Sequence, residues 1–409
     1  MKEPKIRFKG FSGEWKNSPL KDFFTKVTKK NTKLECTAVF TNSAEYGIID
    51  QRDYFDFDVA NSNNIGGYFI VSPDDFVYNP RVSVTAPVGP ISRNRLEYAG
   101  VMSPLYLVFK IDGINKDYLC HYYKTNKWHR FMKLSGNCGA RFDRLSISDD
   151  VFVQMPLIYP TDSKEQMRIS VFLDTLDAQI SASTSRLASL KQMKAASLQA
   201  MFPQEGETMP KVRFKGFEGE WKKALLSECL AVSKEKNTDN MFDKDEVLSV
   251  SDDFGVCNQI ELLGRSYAGK SVSNYGVLRR GYIVYTKSPL KSKPYGIIKA
   301  NHGPSGIVST LYAIYSPKKN VSPDFIEIYF DAPYRMNKYI HPLINKGAKN
   351  DMKVSSENAL KGHIMLPSYA EQQSIASFFT SLDRQIALHT QRLEKLKQIK
   401  AACLDKMFV

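Results

Sequence analysis

No CxxC pair, no close cysteine spacing and no zinc-ligand pattern occurs in this sequence, although it holds six cysteines: Cys36, Cys120, Cys138, Cys229, Cys257 and Cys403. That argues against a disulfide frame or a zinc site, and for reduced thiols in a cytoplasmic protein. No apolar run reaches the roughly 18 residues of a membrane span, and the opening MKEPKIRFKG is not a signal peptide. No membrane association is expected. The six histidines show no HExxH or other ligand spacing, and no G-x-S-x-G, methylase Asp-Pro-Pro-Tyr or nuclease carboxylate pattern appears. No catalytic residue and no metal ligand is therefore assigned.

Acidic charge is also short. Lys and Arg exceed Asp and Glu by 14, with a pI near 9.2. An excess of this size favours a polyanionic partner, most often nucleic acid.

Glycine and proline are missing from the last forty residues, and their absence leaves one long helical pattern from Glu371 to Phe408. Ile375, Phe379, Leu382, Ile386, His389, Leu393, Leu396, Lys400, Cys403 and Met407 follow in alternating steps of four and three. That is a coiled-coil seam, broader spacing being typical of an ordinary surface helix. A helix of this length runs roughly 55–60 Å and needs a partner.

The chain supplies one. At an offset of 206, Glu165–Phe202 repeats the pattern with about half its positions identical, and Ile169, Leu173, Leu176, Ile180, Ser183, Leu187, Leu190, Lys194, Ser197 and Met201 form the matching stripe. The same offset carries Arg7-Phe8-Lys9-Gly10-Phe11-Ser12-Gly13-Glu14-Trp15 onto Arg213-Phe214-Lys215-Gly216-Phe217-Glu218-Gly219-Glu220-Trp221. The protein is one unit written twice. Its expected divisions are 1–164 (lead-in and first globular domain), 165–202 (central helix), 203–370 (lead-in and second domain) and 371–409 (C-terminal helix).

Between the repeated ends, the middles read as α+β. Strand-like runs occur at Tyr68–Val71, Asp75–Tyr78, Val82–Val84 and Tyr106–Phe109, and a helix is expected over Lys116–Met132. Gly100–Tyr106 returns as Gly306–Tyr312, whereas the polar loops differ almost entirely. The lead-in aromatics are expected to anchor against the domain that follows.

Gly264–Ser271 spells G-x-x-x-x-G-K-S, the pattern of a phosphate-cradling loop. Such a loop works between a buried strand and a helix N-terminus. Gln259–Leu263 is a poor strand, Ser273–Gly276 a poor helix, and the first repeat has no Gly-Lys there. The match is read as coincidence. Basic residues interleaved with Asn and Tyr are the better candidates for DNA contact: Arg81, Arg93, Asn94, Arg95, Lys124, Lys127, Arg130, Arg141 and Arg144 in the first middle. In the second they are Lys291, Lys293, Tyr295, Lys299, Asn301, His302, Arg335, Lys346, Lys349 and Asn350. Lys suits phosphates, and Arg and Asn suit base edges.

The duplicated R-F-x-G-F-x-G-E-W lead-in and the duplicated E-Q…L-x-x-L-K-Q-x-K-A-A…M-F helices together resemble the specificity subunit of type I DNA restriction–modification systems. The resemblance covers nearly the whole chain. It implies two target-recognition domains, each binding one half of a bipartite double-stranded DNA sequence, and assembly with two methyltransferase subunits and with restriction subunits. It implies no catalysis in this chain; adenine-N6 methylation and ATP-dependent cleavage, with S-adenosylmethionine, ATP and Mg, would belong to the partners. Packed antiparallel, the helices would form a pseudo-twofold ruler whose midpoints meet near Ser183 and His389. The competing readings are a coiled-coil adaptor without DNA, and a nucleotide-binding protein resting on Gly264–Ser271.

Overall fold

The computed structural model describes residues 3–53, 62–137, 143–287, 293–346 and 352–409. Two 38-residue helices organise it, Ser163–Ala200 and Tyr369–Lys406. Both begin two residues before the expected starts, because the preceding residues supply N-terminal acceptors. Asp162 accepts the Lys164 amide through Oδ1 at 2.8 Å, and Ser368 Oγ accepts the Glu371 amide at 3.3 Å.

The chain divides inside both helices. One unit is Met1–Thr184 with Gln391–Val409; the other is Ser185–Thr390. Each unit therefore contains one globular domain, one part of the central helix and one part of the C-terminal helix.

In the first unit, Phe24–Lys26, Leu107–Ile111, Phe76–Tyr78 and Ile91–Arg93 lie side by side as an antiparallel four-stranded sheet. The second unit repeats that order with Leu230–Val232, Ala313–Pro317, Ile283–Tyr285 and Ile298–Ala300. Each has a hairpin beside it, Phe40–Ser43 with Gly47–Asp50 and Leu248–Ser251 with Gly255–Asn258. Each also pairs its entry with its exit: Lys16–Pro19 with Pro156–Tyr159, and Lys222–Leu225 with His363–Leu366. Mixed strands and helices, with the strands antiparallel, make the fold α+β.

The repeated glycine at the start of the Gly100 string has a packing reason. A Cβ on Gly100 would stand 2.4 Å from the Phe40 ring, and one on Gly306 would stand 2.5 Å from the Glu246 carbonyl oxygen. No side chain fits between the hairpin and the strand at either place.

Two local expectations are corrected. Val82–Val84 is not a strand: Ser83 N donates to Ala86 O at 3.0 Å in a turn, and Val84 is fully exposed. The helix expected over Lys116–Met132 is two helices, Lys116–Tyr122 and His129–Ser135. Thr125 Oγ1 takes the Tyr122 carbonyl and Trp128 Nε1 takes the Tyr123 carbonyl, so side chains replace the backbone donors that would have continued the turn.

The lead-ins anchor as expected. Trp15 and Trp221 are both 2% exposed, edge-on to Tyr118 and Phe325 respectively. Phe8 packs on Phe172 and Phe214 on Phe378. The helix stripes are buried at Ile169, Leu173, Leu176 and Leu190, and at Ile375, Phe379, Leu382, Leu393 and Leu396; Ile180, Leu187 and Ile386 are half-buried. Within the first unit, Leu396, Cys403, Met407 and Phe408 join the core formed by Ile169, Leu173 and Leu176. The two helix segments run antiparallel there. Ile6 N donates to Lys406 O at 2.9 Å beside the helix start at Glu165, while Lys400 pairs with Asp177 further along. Among the described residues, no helix is long and apolar enough to cross a membrane.

Candidate nucleic-acid interface

The framework around each domain is a clasp made from the repeated strings. Arg7 grips Glu165 with Nε at 2.7 Å and Nη2 at 2.9 Å, and gives Nη1 to the Gly13 carbonyl. Arg213 does the same to Glu371, at 2.7 Å twice, and to the Gly219 carbonyl. Two parallel N–H···O bonds to one carboxylate require a guanidinium; an ammonium cannot make them. The neighbouring glutamine ties in the domain. Gln166 accepts the Asn115 amide at 2.8 Å and donates to Pro160 O at 2.7 Å, while Gln372 accepts the Ser322 amide at 2.9 Å and donates to Pro367 O at 3.0 Å. Thus the E-Q pair joins lead-in, long helix and domain helix at one point in each unit.

Inside the first clasp, a cleft of about 620 Å³ collects Arg93, Arg95 and Lys124. These cations are already paired. Arg93 and Arg95 share Asp117 at 2.8 and 2.9 Å, and Lys124 meets Asp177 at 3.1 Å. Lys127 stands 3.9 Å from Asp405, Arg81 and Arg144 each stand 3.9 Å from Asp143, and Arg130 is exposed. His121, Asp174 and Asp177 also converge, their ligand atoms within 4.8 Å of one another. Lys124 and Lys400 both hold Asp177, however, and His121 Nε2 is 3.0 Å from Asp174, so the acids serve the local cations. Burial and the Lys124 charge push the His121 imidazolium down, against the pull of Asp174.

The second unit spends its cations more deeply. Lys293 reaches Asp252 at 2.6 Å and Asp331 at 3.0 Å, and Lys299, 9% exposed in its side chain, reaches Glu327 at 3.3 Å. Burial pushes the Asp331 carboxyl up, but Lys194, Lys299 and Lys293 outweigh it and hold the group far below the usual carboxylate range. His302 sits 3.1 Å from Glu327; that hydrogen bond holds its imidazolium up against burial, helped by the charges of Glu327 and Asp324. Tyr295 is half-buried, its carbonyl accepting the Tyr285 hydroxyl at 2.7 Å.

Several of the candidate DNA-contact side chains make structural contacts within the fold. Asn94 and Asn301, each 1% exposed, clamp backbone carbonyls: Asn94 those of Val71 and Tyr98, Asn301 those of Leu278 and Pro304. Arg335 stacks 4.1 Å over Phe202 and donates to Tyr329 O at 2.8 Å and to Leu198 O at the end of the central helix. Lys293, Lys299 and Arg93 are engaged in ion pairs with Asp252 and Asp331, with Glu327 and with Asp117 respectively. Arg141, Lys291, Lys349 and Asn350 lie outside the described residues; Lys346 falls on the two-residue strand Asn345–Lys346.

Sequence reasoning passed over the duplicated Lys-Asn-Thr at 30–32 and 236–238. Asn31 and Asn237 cinch identical turns, each bonding both the amide and the carbonyl five residues on, at Cys36 and Phe242. The signal was present, identical triplets at the 206 offset. The 264–271 loop lacks the setting of a phosphate loop. Gln259–Leu263 is a short helix capped by Gly264 at φ 76°, so no strand feeds the glycine pattern.

Residues 281–398 match the family model of the type I restriction modification DNA specificity domain. The chain carries a type I DNA specificity domain. That match runs from the sheet of the second unit through most of the C-terminal helix, and the first unit repeats the same architecture. Three solved structures resemble the chain over nearly their full length. The type I restriction–modification S subunit from M. genitalium is 11% identical, with 100% of this chain and 99% of that one covered and a TM-score of 0.54; the likeness is one of fold. The HsdS subunit from Thermoanaerobacter tengcongensis is 14% identical, covering 100% and 99%, at a TM-score of 0.44. A chain from a structural study of type I R-M complex assembly and conformational transition is 13% identical, covering 96% and 97%, at a TM-score of 0.45. No curated protein matches the sequence.

Proposed function

We propose that each unit of this specificity subunit reads one half of an asymmetric bipartite target in double-stranded DNA, and that the two long helices set the gap and dock two methyltransferase subunits. The observation that carries this reading is the duplicated clasp, Arg7–Glu165 and Arg213–Glu371, around domains whose polar surfaces differ. Equal frames suit equal partners, and unequal surfaces suit unequal half-sites. Divisions at 1–164, 165–202, 203–370 and 371–409 remain the functional blocks of this proposal.

Each 38-residue helix spans roughly 57 Å at 1.5 Å per residue. Against about 34 Å per turn of B-DNA, the half-sites are between one and two turns apart, with unread base pairs between them. This chain is non-catalytic in the proposal and acts in the cytoplasm. Adenine methylation requires flipping the base from the duplex; that step, with S-adenosylmethionine, belongs to the methyltransferase, and ATP, Mg and cleavage belong to restriction subunits of the full complex.

The test is to co-express the chain with a matching methyltransferase subunit and map methylated sites. An asymmetric two-part motif with a fixed gap is expected, and exchanging residues 222–367 for another such domain changes one half of it. An active partner that gains no sequence preference, together with DNA affinity insensitive to salt, would leave only a helical adaptor.

A further inference from the structure

The second unit's internal pairing raises a question of supply: if Lys293, Lys299 and Arg335 are committed to the fold, which donors face the DNA? The 264–271 loop has them. Arg265 lies with its guanidinium 4.6 Å from the centre of the Tyr267 ring, and Tyr267 is 59% exposed. Arg265 and Lys270 are both exposed, and among the described residues neither has a carboxylate partner. Elsewhere in this unit Lys194, Lys293, Lys299 and Arg279 are all neutralised by Asp or Glu. Arg265 differs from other unpaired surface cations of the unit, such as Arg280, in lying over an exposed aromatic ring.

It is also held firmly from behind. Tyr267 N donates to Gln259 Oε1 at 2.6 Å, and Gln259 Nε2 donates to Ser249 Oγ of the hairpin at 3.2 Å. Ala268 and the buried Val272 pack into the cluster of Val247, Val277 and Ile307. Anchored at both flanks, the loop presents its stacked pair without the entropy cost of ordering a free arginine. A guanidinium held over an aromatic ring leaves N–H groups to reach a base, and a guanidinium fork matches the O6 and N7 acceptors of guanine.

Resting on the DNA-reading function proposed above, we propose that the 264–271 loop is the part of the second unit that enters the DNA, with Arg265 on Tyr267 reading a guanine edge and Lys270 contacting a backbone phosphate. The phosphate-loop spelling is then a by-product of a small-residue loop carrying a lysine to a phosphate of DNA.

The full chain, co-expressed with its methyltransferase, is tested by mapping methylated sites and by measuring DNA affinity of the purified complex over a salt series. Arg265→Ala is expected to relax the motif at one base pair of one half and leave the other half intact, with discrimination there falling roughly 5- to 100-fold. Arg265→Lys, which keeps the charge and loses the fork, is expected to relax the same position. Lys270→Ala is expected to weaken specific and non-specific DNA alike and to make the salt dependence shallower by about one in slope. Retention of the wild-type motif and discrimination by both Arg265 variants overturns the base-reading assignment. Should Arg265→Ala abolish methylation altogether, the Lys270→Ala slope decides, an unchanged slope overturning the loop's role. A wild-type complex that methylates no bipartite site defeats the function proposed above and this inference with it; a wild-type motif untouched by the variants defeats this inference alone.

Discussion

Lys194 of the central helix lies 2.8 Å from Asp383 of the C-terminal helix, and Lys400 meets Asp177, the same pair with the helices exchanged. The offset of 206 relates both partners, so the repeat reproduces a contact as well as a sequence. In the second unit Lys194 also reaches Asp331 at 2.8 Å, fastening the domain to both helices.

Replacing Lys194 by Met removes one of two ammonium partners of Asp331, a carboxylate only 16% exposed in its side chain. Lys293 still pairs with it, and the half-exposed Asp383 contributes little. A loss of about 2 kcal/mol in the second unit's stability is expected, read by urea unfolding. Lys400→Met should cost less, because Lys124 continues to hold Asp177.

Arg213→Lys keeps the charge at the clasp and removes the fork. The Glu371 side chain is 1% exposed, so its second oxygen loses a bond it cannot replace from water. A cost of about 2 kcal/mol is expected, and Arg7→Lys should behave alike. Equal stability of Arg and Lys forms in a melting experiment would contradict the bidentate account.

Phe408 packs against Tyr118 at 5.3 Å and Tyr122 at 6.2 Å, as Phe202 packs against Phe325 at 5.8 Å and Trp221 at 5.8 Å. Phe202→Ala empties the middle of a core, for an expected cost of about 3–5 kcal/mol. Phe408→Ala should lie at the low end, since Phe202 also packs against Tyr329 and Phe379 and carries the Arg335 guanidinium. Chemical denaturation of the two variants tests the order.

The pH dependence of the second unit has two opposed sources. Asp331 has a folded pKa below its unfolded one, so its contribution is present above about pH 4 and is lost as pH falls through the folded value. His302 has a folded pKa raised by Glu327, so its contribution is present below about pH 6.5 and is lost as pH rises through the folded value. His302→Gln should therefore remove an alkaline loss of stability and leave the Asp331 contribution to the acid limb in place, as followed by melting from about pH 2 to 9.

Nucleotide binding is expected to be absent, and unaltered by Lys270→Ala. Gly264 ends a helix, and Gly276–Leu278, the next regular element after the motif, is a strand. Among the described residues, no helix follows the motif directly to receive phosphates at its N-terminus. Saturable ATP binding abolished by Lys270→Ala would overturn this.

Much of the frame was legible because it is periodic or duplicated. The helix stripes follow from a four–three spacing with no Gly or Pro, and burial at Leu173, Phe379 and Leu396 agrees with it. Offset identity picked out Arg7, Glu165, Arg213 and Glu371 before any contact was known. The break at Tyr123–Trp128 was not legible, since Tyr122 and Tyr123 suit a helix as well as its end. Trp128 and Thr125 stop it by bonding carbonyls that helical amides would otherwise take.

The DNA candidates show the sharper limit. Arg, Lys and Asn near one another in sequence imply polar function, but Asn301 clamps Leu278 and Pro304, Arg335 caps the central helix, and Lys293 neutralises Asp252 and Asp331. Pairing of this kind depends on carboxylates and carbonyls tens of residues away, and no local pattern encodes it. Repetition and hydrophobic period are properties of the chain itself, so they settle the helices, the clasp residues and the α+β class. Which charges remain free for DNA depends on what each meets after folding, because a cation's partner is chosen by distance in space.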